Sequence, residues 1–337
     1  MPSFTLITGP TVKRILTRDR ARVIDLIRDA YLLHKRGETI NPDSYFLCFP
    51  ERPSARIIAL PAYLGGDTDL AGVKWISSFP ENIKQALPRA SAVLILNDPA
   101  TGYPIACMEA ATISAARTAA SAAIAAVSLR PAGYEGTTLA VIGCGVIAKN
   151  IADYLHEAGV RPAAFVVHDL DRASGEHMAH HLGAAFGAPA RFTEYRDEAL
   201  AADTIVLATT AGEPYIHTPL RPGQLVLNIS LRDLDPAIIL DSANVLDDVE
   251  HCLKANTSPH LAEQQSGGRE FVTGTLAEVL DGDVTVTAER PIVFSPFGLG
   301  VLDLALGAHV LRAVRDSDGT EAGAIELNDF FADSTRW

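Results

Sequence analysis

The chain has 337 residues, of which 48% are hydrophobic and 20% charged, and this composition excludes an intrinsically disordered protein. The net charge of −13 disfavours binding to nucleic acid or to an anionic membrane through a general surface field. The N-terminal MPSFTLITGP lacks the pattern of a signal peptide, no bilayer-spanning segment is expected, and the four cysteines are widely spaced. We therefore expect a cytoplasmic protein without a disulfide framework.

The first part of the chain predicts a helix followed by antiparallel strands. Val23, Ile27 and Tyr31 recur at helical spacing, and Gly37 is expected to end that helix. Short extended segments separated by Pro- and Gly-containing turns then predict strands at 45–49, 55–60, 71–76, 92–97 and 104–109. The Ala-rich stretch 110–129 predicts a long buried helix.

From residue 138 the pattern becomes an apolar strand, a Gly-rich turn, a helix and a second apolar strand, which is a βαβ unit. The predicted elements are strand 139–142, helix 146–157 and strands 163–168, 204–208, 225–229 and 244–246. This alternation indicates a parallel sheet covered on both faces, hence an α/β fold with a Rossmann-type dinucleotide-binding domain at 131–301. Strand and turn are expected at 291–300, and helix 301–314 is expected to return to the first domain.

The turn Gly143-x-Gly145-x-x-Ala148 follows a predicted strand and opens a predicted helix, the context that a dinucleotide-binding turn requires. Val146 and Ile147 begin that helix, and its free N–H groups would face the cofactor phosphates. Gly143 would permit the tight turn and Gly145 would let the backbone approach the pyrophosphate. The alternative is a glycine-rich turn in another kind of doubly wound domain.

Asp169 stands at the end of the second strand of this unit, where its carboxylate would accept hydrogen bonds from the adenosine ribose hydroxyls. A carboxylate there repels a 2′-phosphate, so we expect NAD rather than NADP as cofactor. Arg172 nearby keeps NADP open, because an Arg at this edge can accommodate the additional phosphate.

Polar residues also follow the next two predicted strands, and ligands of open α/β sheets bind beyond the carboxyl ends of strands. Thr209 and Thr210 follow the strand at 204, and Ser230 follows the strand at 225. We expect all three to line the cofactor crevice. The alternative is that they merely cap the turns that follow.

Three cations lie in apolar surroundings in the first domain: Arg56, Lys74 and Arg117. Each would be costly to bury unpaired, so each must pair internally or face a pocket that a ligand completes. Arg suits a bidentate grip on a carboxylate, and a desolvated Lys can act as a base. Internal salt bridges remain the alternative explanation.

Several motifs in order extend this pattern over most of the chain. They are RIIALP at Arg56, GVKW at Lys74, ILND at Ile95, MEA at Met108, ISAARTAA around Arg117, the GCGVIA turn, and SPFG at Ser295 with Asp303. In these motifs the chain resembles the ornithine cyclodeaminase/μ-crystallin family. It is most similar to the branch that makes 2,3-diaminopropionate for siderophores and peptide antibiotics, through LGG at Leu64, ILNDP, YPIA at Tyr103 and NIS at Asn228.

The resemblance implies that Arg56 and Arg117 bind the substrate α-carboxylate and that Lys74 transfers a proton at the substrate nitrogen. It implies a carboxylate that orients the reacting amine or water, for which Asp233 is preferred and Asp235 competes. Gly298 would lie close to the nicotinamide.

The family fold implied is an α+β substrate-binding and dimerisation domain, 1–130 with 302–337, in a homodimer. No metal is expected, because His177 and His181 lack further ligands and the 247–252 segment is better explained as a loop near the cofactor.

By the same resemblance the substrate is N-(2-amino-2-carboxyethyl)-L-glutamate, which NAD-dependent oxidation and hydrolysis would convert to 2-oxoglutarate and 2,3-diaminopropionate. Two alternatives stay open. One is an ornithine-cyclodeaminase-like reaction that recycles NAD, and the other is a non-catalytic ligand-binding protein like the μ-crystallin relatives. Retention of all three cations argues against the second.

Overall fold

The computed structural model describes residues 3–317 and 323–331. It divides into two compact units, Met1–Arg117 with Leu299–Trp337, and Thr118–Gly298. The strands are β1 (Phe4–Ile7), β2 (Thr39–Ile40), β3 (Tyr45–Phe49), β4 (Arg52–Leu64), β5 (Leu70–Ser78), β6 (Ala90–Asn97), β7 (Pro104–Glu109), β8 (Thr138–Ile142), β9 (Ala164–His168), β10 (Ala190–Phe192), β11 (Thr204–Leu207), β12 (Leu225–Asn228), β13 (Ala243–Leu246), β14 (Val272–Thr275), β15 (Ile292–Ser295) and β16 (Ala324–Leu327).

The helices are α1 (Gly9–Arg18), α2 (Arg20–Lys35), α3 (Ala111–Leu129), α4 (Val146–Glu157), α5 (Arg172–Phe186), α6 (Arg196–Leu200), α7 (Pro236–Leu240), α8 (Val249–Cys252), α9 (Ser258–Ser266), α10 (Leu276–Asp281) and α11 (Gly300–Arg315). A 3₁₀ turn, Pro80–Gln85, lies between β5 and β6.

The first unit is built on a mixed sheet in the order β16-β1-β7-β6-β5-β4-β2, with β3 also paired to β4. Strands β3 to β7 pair antiparallel, as the turn-separated pattern predicts, and β1 joins β7 in parallel. Helix α11 packs on β4, β5 and β6. The contact is close: a Cβ on Gly307 would lie 2.4 Å from the Leu94 side chain, so a larger residue there would have to displace Leu94.

The second unit contains a parallel sheet in the order β10-β9-β8-β11-β12-β15-β13-β14. The strand order reverses between β8 and β11: β9 and β10 follow β8 on one side, and β11 and β12 lie on the other. The loops after β8 and β11 therefore run apart and open a crevice at the carboxyl ends of these strands. Strands β11, β12, β13 and β15 are buried at every position, which explains their continuous apolar runs. The predicted α/β class with a Rossmann-type nucleotide-binding sheet is confirmed.

Helix α3 is long and apolar enough to cross a membrane by length and hydropathy, although no such segment is expected from the sequence. In the part of the chain that the structure describes, it is the one helix that meets this test. The most apolar 18-residue stretch of α3 is 78% buried inside the protein, as expected for a core helix of a globular protein. The boundary between the two units falls within this helix.

Candidate active site

Lys74 lies in the middle of β5, opposite Leu60 on β4 and Leu94 on β6, on the sheet face that packs against α11. Its side chain is only 1% exposed. The ammonium Nζ is 2.6 Å from Oδ2 of Asp303 on α11, and it donates to Oγ of Ser114 on α3 at 3.3 Å. A lysine at this position is therefore held by a carboxylate and a hydroxyl in an apolar setting.

Burial lowers the pKa of Lys74 to about 8. The Asp303 carboxylate opposes this shift because it stabilises the ammonium, and the charge of Arg117 acts in the same direction as burial. A lysine with a pKa in this range exchanges a proton near neutral pH, which an ordinary surface lysine does not.

Arg117 shares the same carboxylate, since its Nε lies 3.6 Å from Oδ1 of Asp303. The internal ion pair that the sequence leaves as an alternative is thus present for both Lys74 and Arg117. Two cations meet one carboxylate here, so the cluster carries an excess positive charge whenever Lys74 is protonated. A buried excess charge is relieved by an anionic ligand.

Arg56 lies on β4, four residues before Leu60, and side chains at even spacing point to the same sheet face. It therefore shares a face with Lys74. Its Nε is buried and receives no hydrogen-bond partner from the residues that the structure describes. Unlike Lys74 and Arg117, Arg56 is not part of the Asp303 cluster.

The two glycines of the predicted phosphate turn have different roles. Gly143 has φ +86°, and a Cβ there would lie 2.6 Å from the Ala208 carbonyl oxygen, so the fold itself requires glycine. A Cβ on Gly145 would meet no protein atom within 4 Å. Gly145 thus leaves open space next to the helix, which is the space a pyrophosphate occupies in a dinucleotide-binding turn.

Helix α4 starts at Val146, directly after Gly145, and no side chain caps its first turn. Val146 is 73% exposed, whereas Ala148 is buried against the sheet. Free N–H groups and the positive end of the helix dipole at such an exposed terminus suit a phosphate group. Together with the open space at Gly145, this turn fits the pyrophosphate of a dinucleotide.

Asp169 follows β9 and lies beside the same turn. Its Oδ2 accepts the Cys144 N–H at 2.6 Å, and its Oδ1 accepts the Asp171 N–H at 2.8 Å. These bonds fix the carboxylate at the crevice edge. Burial, with a further contribution from Asp169, raises the pKa of the Cys144 thiol to about 12, so Cys144 is not an activated thiolate.

Arg172, which leaves NADP possible as the cofactor, forms ion pairs with two carboxylates of the protein. It pairs with Glu176 at 2.9 Å and with Glu194. Both partners are exposed carboxylates, so a 2′-phosphate would have to compete with them for this guanidinium.

The predicted crevice residues after β11 and β12 differ in their surroundings. Thr209 donates from Oγ1 to Oδ1 of Asp233 at 2.5 Å, while Thr210 is exposed. The Ser230 hydroxyl is buried and has no hydrogen-bond partner among the residues that the structure describes. An unpartnered buried hydroxyl at the end of a strand is a group that a ligand can satisfy.

The two competing carboxylates are distinguished by their contacts. Asp235 caps α7 by accepting the Ala237 N–H at 2.9 Å and pairs with His217 at 2.8 Å. These bonds hold the pKa of Asp235 below its usual value. Asp233 is fully buried, and its Oδ2 has no hydrogen-bond partner within the described part of the chain. The Asp235 carboxylate is therefore engaged as a helix cap, whereas Asp233 Oδ2 can accept a hydrogen bond from a ligand or water.

Two further carboxylates belong to these sites, although the sequence assigns no role to either of them. Asp303 is one: in the sequence it stands only as part of a family motif, and a charged residue inside the apolar stretch VLDLALG is the signal that indicates a partner for the buried cations. Asp247, at the end of β13, is the other: it accepts the N–H groups of Phe297 at 2.9 Å and Gly298 at 2.6 Å. Gly298 has φ +97°, so Asp247 holds a turn that only glycine adopts readily.

Comparison with known proteins places these features in a family. The model of the ornithine cyclodeaminase/mu-crystallin family matches residues 13–318. An N-((2S)-2-amino-2-carboxyethyl)-L-glutamate dehydrogenase of Staphylococcus aureus is 30% identical over 293 residues, which cover 84% of this chain and 87% of that protein.

Two solved structures have a similar fold. The crystal structure of CmnK is 27% identical, with a TM-score of 0.83, covering 98% of this chain and 100% of that one. An archaeal alanine dehydrogenase dimer with bound NAD is 24% identical, with a TM-score of 0.84 and the same coverage. The family match spans nearly the whole length, both units included. This chain therefore belongs to the ornithine cyclodeaminase/mu-crystallin family.

Proposed function

We propose that this protein is an NAD-dependent dehydrogenase acting on the CH–NH group of N-[(2S)-2-amino-2-carboxyethyl]-L-glutamate. The products are L-2,3-diaminopropionate, 2-oxoglutarate and NADH, and the diaminopropionate would serve siderophore or peptide natural-product biosynthesis. The observation that carries the proposal is the buried Lys74–Asp303–Arg117 cluster, which combines a titratable amine with an excess of positive charge. The Staphylococcus aureus relative bears the name of this activity.

NAD is the cofactor, and the turn from Gly143 to Ile147 with Asp169 would hold it. When bound, NAD supplies the acceptor for the hydride that leaves the carbon next to the nitrogen. The open space at Gly145, the uncapped start of α4 and the fixed Asp169 carboxylate fit its pyrophosphate and ribose. Thr209, Thr210, Ser230 and Gly298 complete the proposed cofactor contacts.

Arg56 and Arg117 bind the substrate α-carboxylate. Arg117 is held in place by Asp303, and Arg56 keeps its buried Nε free of partners from the described residues. A substrate with several carboxylates explains why an acidic protein retains cations in apolar surroundings.

Lys74 accepts the proton from the substrate nitrogen as the C–H bond is oxidised, which leaves an imine. Asp303 and Ser114 orient its Nζ, and burial keeps enough of it neutral to act as a base. Water then adds to the imine carbon, and cleavage of the C–N bond releases 2-oxoglutarate and the amine of diaminopropionate. Asp233 orients this water through the carboxylate oxygen that Thr209 leaves unoccupied.

The pH dependence of turnover tests the role of Lys74 as a base. The ammonium cannot accept a proton, so kcat/KM is expected to rise about tenfold per pH unit below the pKa and to level off above it. The pKa of Lys74 of about 8 places the bend of this profile. The profile is measured by initial rates of NADH formation, and a profile without a bend between neutral and mildly alkaline pH contradicts the assignment.

The choice of NAD over NADP is proposed to rest on Asp169. In Asp169→Ser the repulsion of a 2′-phosphate is removed and a ribose contact is lost. We expect the Kd for NAD to rise and the Kd for NADP to fall, each by roughly tenfold, in the range of one charged hydrogen bond. Fluorescence titration with both cofactors measures the ratio, and Asp171→Ser, which changes a helix cap instead, is the control. An unchanged ratio in Asp169→Ser would exclude this role.

A cyclodeaminase-like reaction is the second candidate, because this family takes its name partly from ornithine cyclodeaminase. That reaction returns the hydride and leaves no net NADH. Incubating the protein with NAD and either candidate substrate, and following NADH absorbance, separates the two. Accumulation with the glutamate derivative supports the dehydrogenase, and ammonia release from ornithine without NADH supports the alternative.

A cytoplasmic homodimer is proposed for the assembly. Tyr45, Trp75 and Val93 form an exposed apolar row on the sheet face opposite Lys74. A row of this kind on a monomer would remain in water, whereas a second sheet would cover it.

A further inference from the structure

Arg89 stands where the connection between β5 and β6 rejoins the sheet. The Phe79 N–H donates to the Arg89 carbonyl at 2.8 Å and closes this connection. The Asn82 side chain donates to the Pro88 carbonyl at 3.1 Å and fixes the residue before it. Arg89 in turn donates from Nη1 to Oγ of Ser78 at 2.7 Å. Its guanidinium is therefore held at a defined place beside the end of β5.

Arg56 occupies the neighbouring place on β4, because Arg56 pairs with Ser78 in the register of the two strands. Lys74 and Ser78 are four residues apart on β5, so Arg56, Ser78 and Lys74 all point to the same sheet face. The Arg56–Arg89 pair thus lies on the face that carries the catalytic cluster, roughly 13 Å along the strand from the Lys74 row at about 3.3 Å per residue.

Neither guanidinium has an acidic partner among the residues that the structure describes. The ion pairs within residues 3–317 and 323–331 include neither guanidinium, and Arg56 Nε is a buried donor without an acceptor from those residues. Both side chains are half-buried. Burial, and next the positive charge of Arg56, lower the pKa of Arg89. Two like charges held together and partly desolvated are unfavourable until an anion lies between them.

We propose that Arg89 and Arg56 form a subsite for a second carboxylate of the substrate, distinct from the α-carboxylate, and that this subsite selects amino-acid derivatives with more than one carboxylate. The inference rests on the proposed function. Arg56 can serve both groups, because a guanidinium presents five N–H donors along two edges. Arg89 contributes only to the second carboxylate, so it determines specificity without touching the reacting atoms.

Substrate analogues that lack one carboxylate each provide the test. They are N-(2-amino-2-carboxyethyl)-L-glutamine, in which the γ-carboxylate is an amide, and N-(2-aminoethyl)-L-glutamate, which lacks the diaminopropionate carboxylate. In Arg89→Gln we expect KM for the full substrate to rise roughly 10- to 100-fold with a smaller change in kcat, the loss typical of one charge-assisted pair. For one of the two analogues, KM of the same variant is expected to equal that of the wild type, because that analogue lacks the carboxylate that Arg89 binds.

Lys84→Gln is the matched control. It removes one positive charge from the same connection, but Lys84 is exposed and pairs with Glu81. We expect no change in KM for any of the three compounds. Arg89→Lys keeps the charge with fewer donors and is expected to recover part of the loss. Thermal unfolding of Arg89→Gln is expected to stay within a few degrees of wild type, because a repulsive neighbour is removed.

Two kinetic outcomes overturn the proposal: in Arg89→Gln, KM rises by the same factor for the full substrate and for both analogues, or KM for the full substrate does not change. Calorimetric titration of the full substrate without NAD distinguishes failure of the subsite proposal from failure of the proposed reaction. If wild type binds the compound but forms no NADH, and Arg89→Gln weakens binding at least about tenfold, the subsite stands and the reaction is wrong. If binding is equal in both proteins while NADH forms, the reaction stands and the subsite is wrong.

Discussion

Lys74→Met is expected to lower kcat about 10³-fold, the usual scale for loss of a positioned general base. Met has a similar length and fills the same apolar space, so the substitution removes the proton acceptor with little change in packing. KM should change less than kcat, because Arg56 and Arg117 remain to bind the carboxylate. Steady-state NADH formation measures both parameters.

The substitution also leaves Asp303 buried with Arg117 as its remaining ion-pair partner from this cluster, at 3.6 Å. Breaking a buried pair costs about 3–5 kcal/mol, so Lys74→Met alone is expected to be less stable. The double variant Lys74→Met with Asp303→Asn also removes the carboxylate that Arg117 contacts, so it is expected to lose further stability and to stay inactive. A folded Lys74→Met enzyme that retains more than about a tenth of the wild-type kcat would overturn the base assignment.

Gly143→Ala and Gly145→Ala are expected to separate folding from cofactor binding. At Gly143 the new Cβ meets the Ala208 carbonyl at 2.6 Å and φ is +86°, so the turn cannot keep its shape. We expect a loss of about 2–4 kcal/mol in the free energy of unfolding and no measurable NAD binding.

Gly145 has φ −79°, which alanine adopts freely, and its Cβ meets nothing in the protein. Gly145→Ala should therefore unfold like wild type but bind NAD at least about tenfold more weakly, because the methyl group enters the pyrophosphate space. Denaturant unfolding and NAD titration of both variants provide the measurements. Equal NAD affinity of Gly145→Ala and wild type would show that the open space is not the cofactor's.

The sequence predicts most of the architecture where the hydrophobic period is clear. Strand β7 and helix α4 have the predicted bounds, 104–109 and 146–157, because turn residues and a glycine mark their ends. The N-terminal β1 and α1 are not predicted. A four-residue strand such as FTLI has too few positions to show alternation, and its pairing with β7 and β16 depends on distant residues.

Strand β4 is longer than predicted, running from Arg52 to Leu64 instead of 55–60. Its two proline residues argue against a continuous strand when the sequence is read locally. The long antiparallel register with β5, from Arg56 to Leu64, supplies the tertiary pairing that overrides this preference.

In the candidate site, too, local sequence patterns predict some features, and tertiary contacts determine the others. Unusual cations in apolar segments single out Arg56, Lys74 and Arg117, but no local pattern says that Lys74 and Arg117 share one carboxylate. Asp303 reaches them from the C-terminal helix, a contact that only the folded chain reveals. Likewise, the difference between Asp233 and Asp235 depends on the cap that Asp235 provides for α7.

The proposed reaction is tested with N-[(2S)-2-amino-2-carboxyethyl]-L-glutamate that carries deuterium at the glutamate Cα, incubated with NAD and the wild-type protein. The products are analysed by mass spectrometry. The proposed reaction yields deuterated NADH in equal amount to 2-oxoglutarate and 2,3-diaminopropionate, since the hydride leaves that carbon while Lys74 takes the nitrogen proton. Full retention of deuterium in an amino-acid product, or turnover without net NADH, would contradict it.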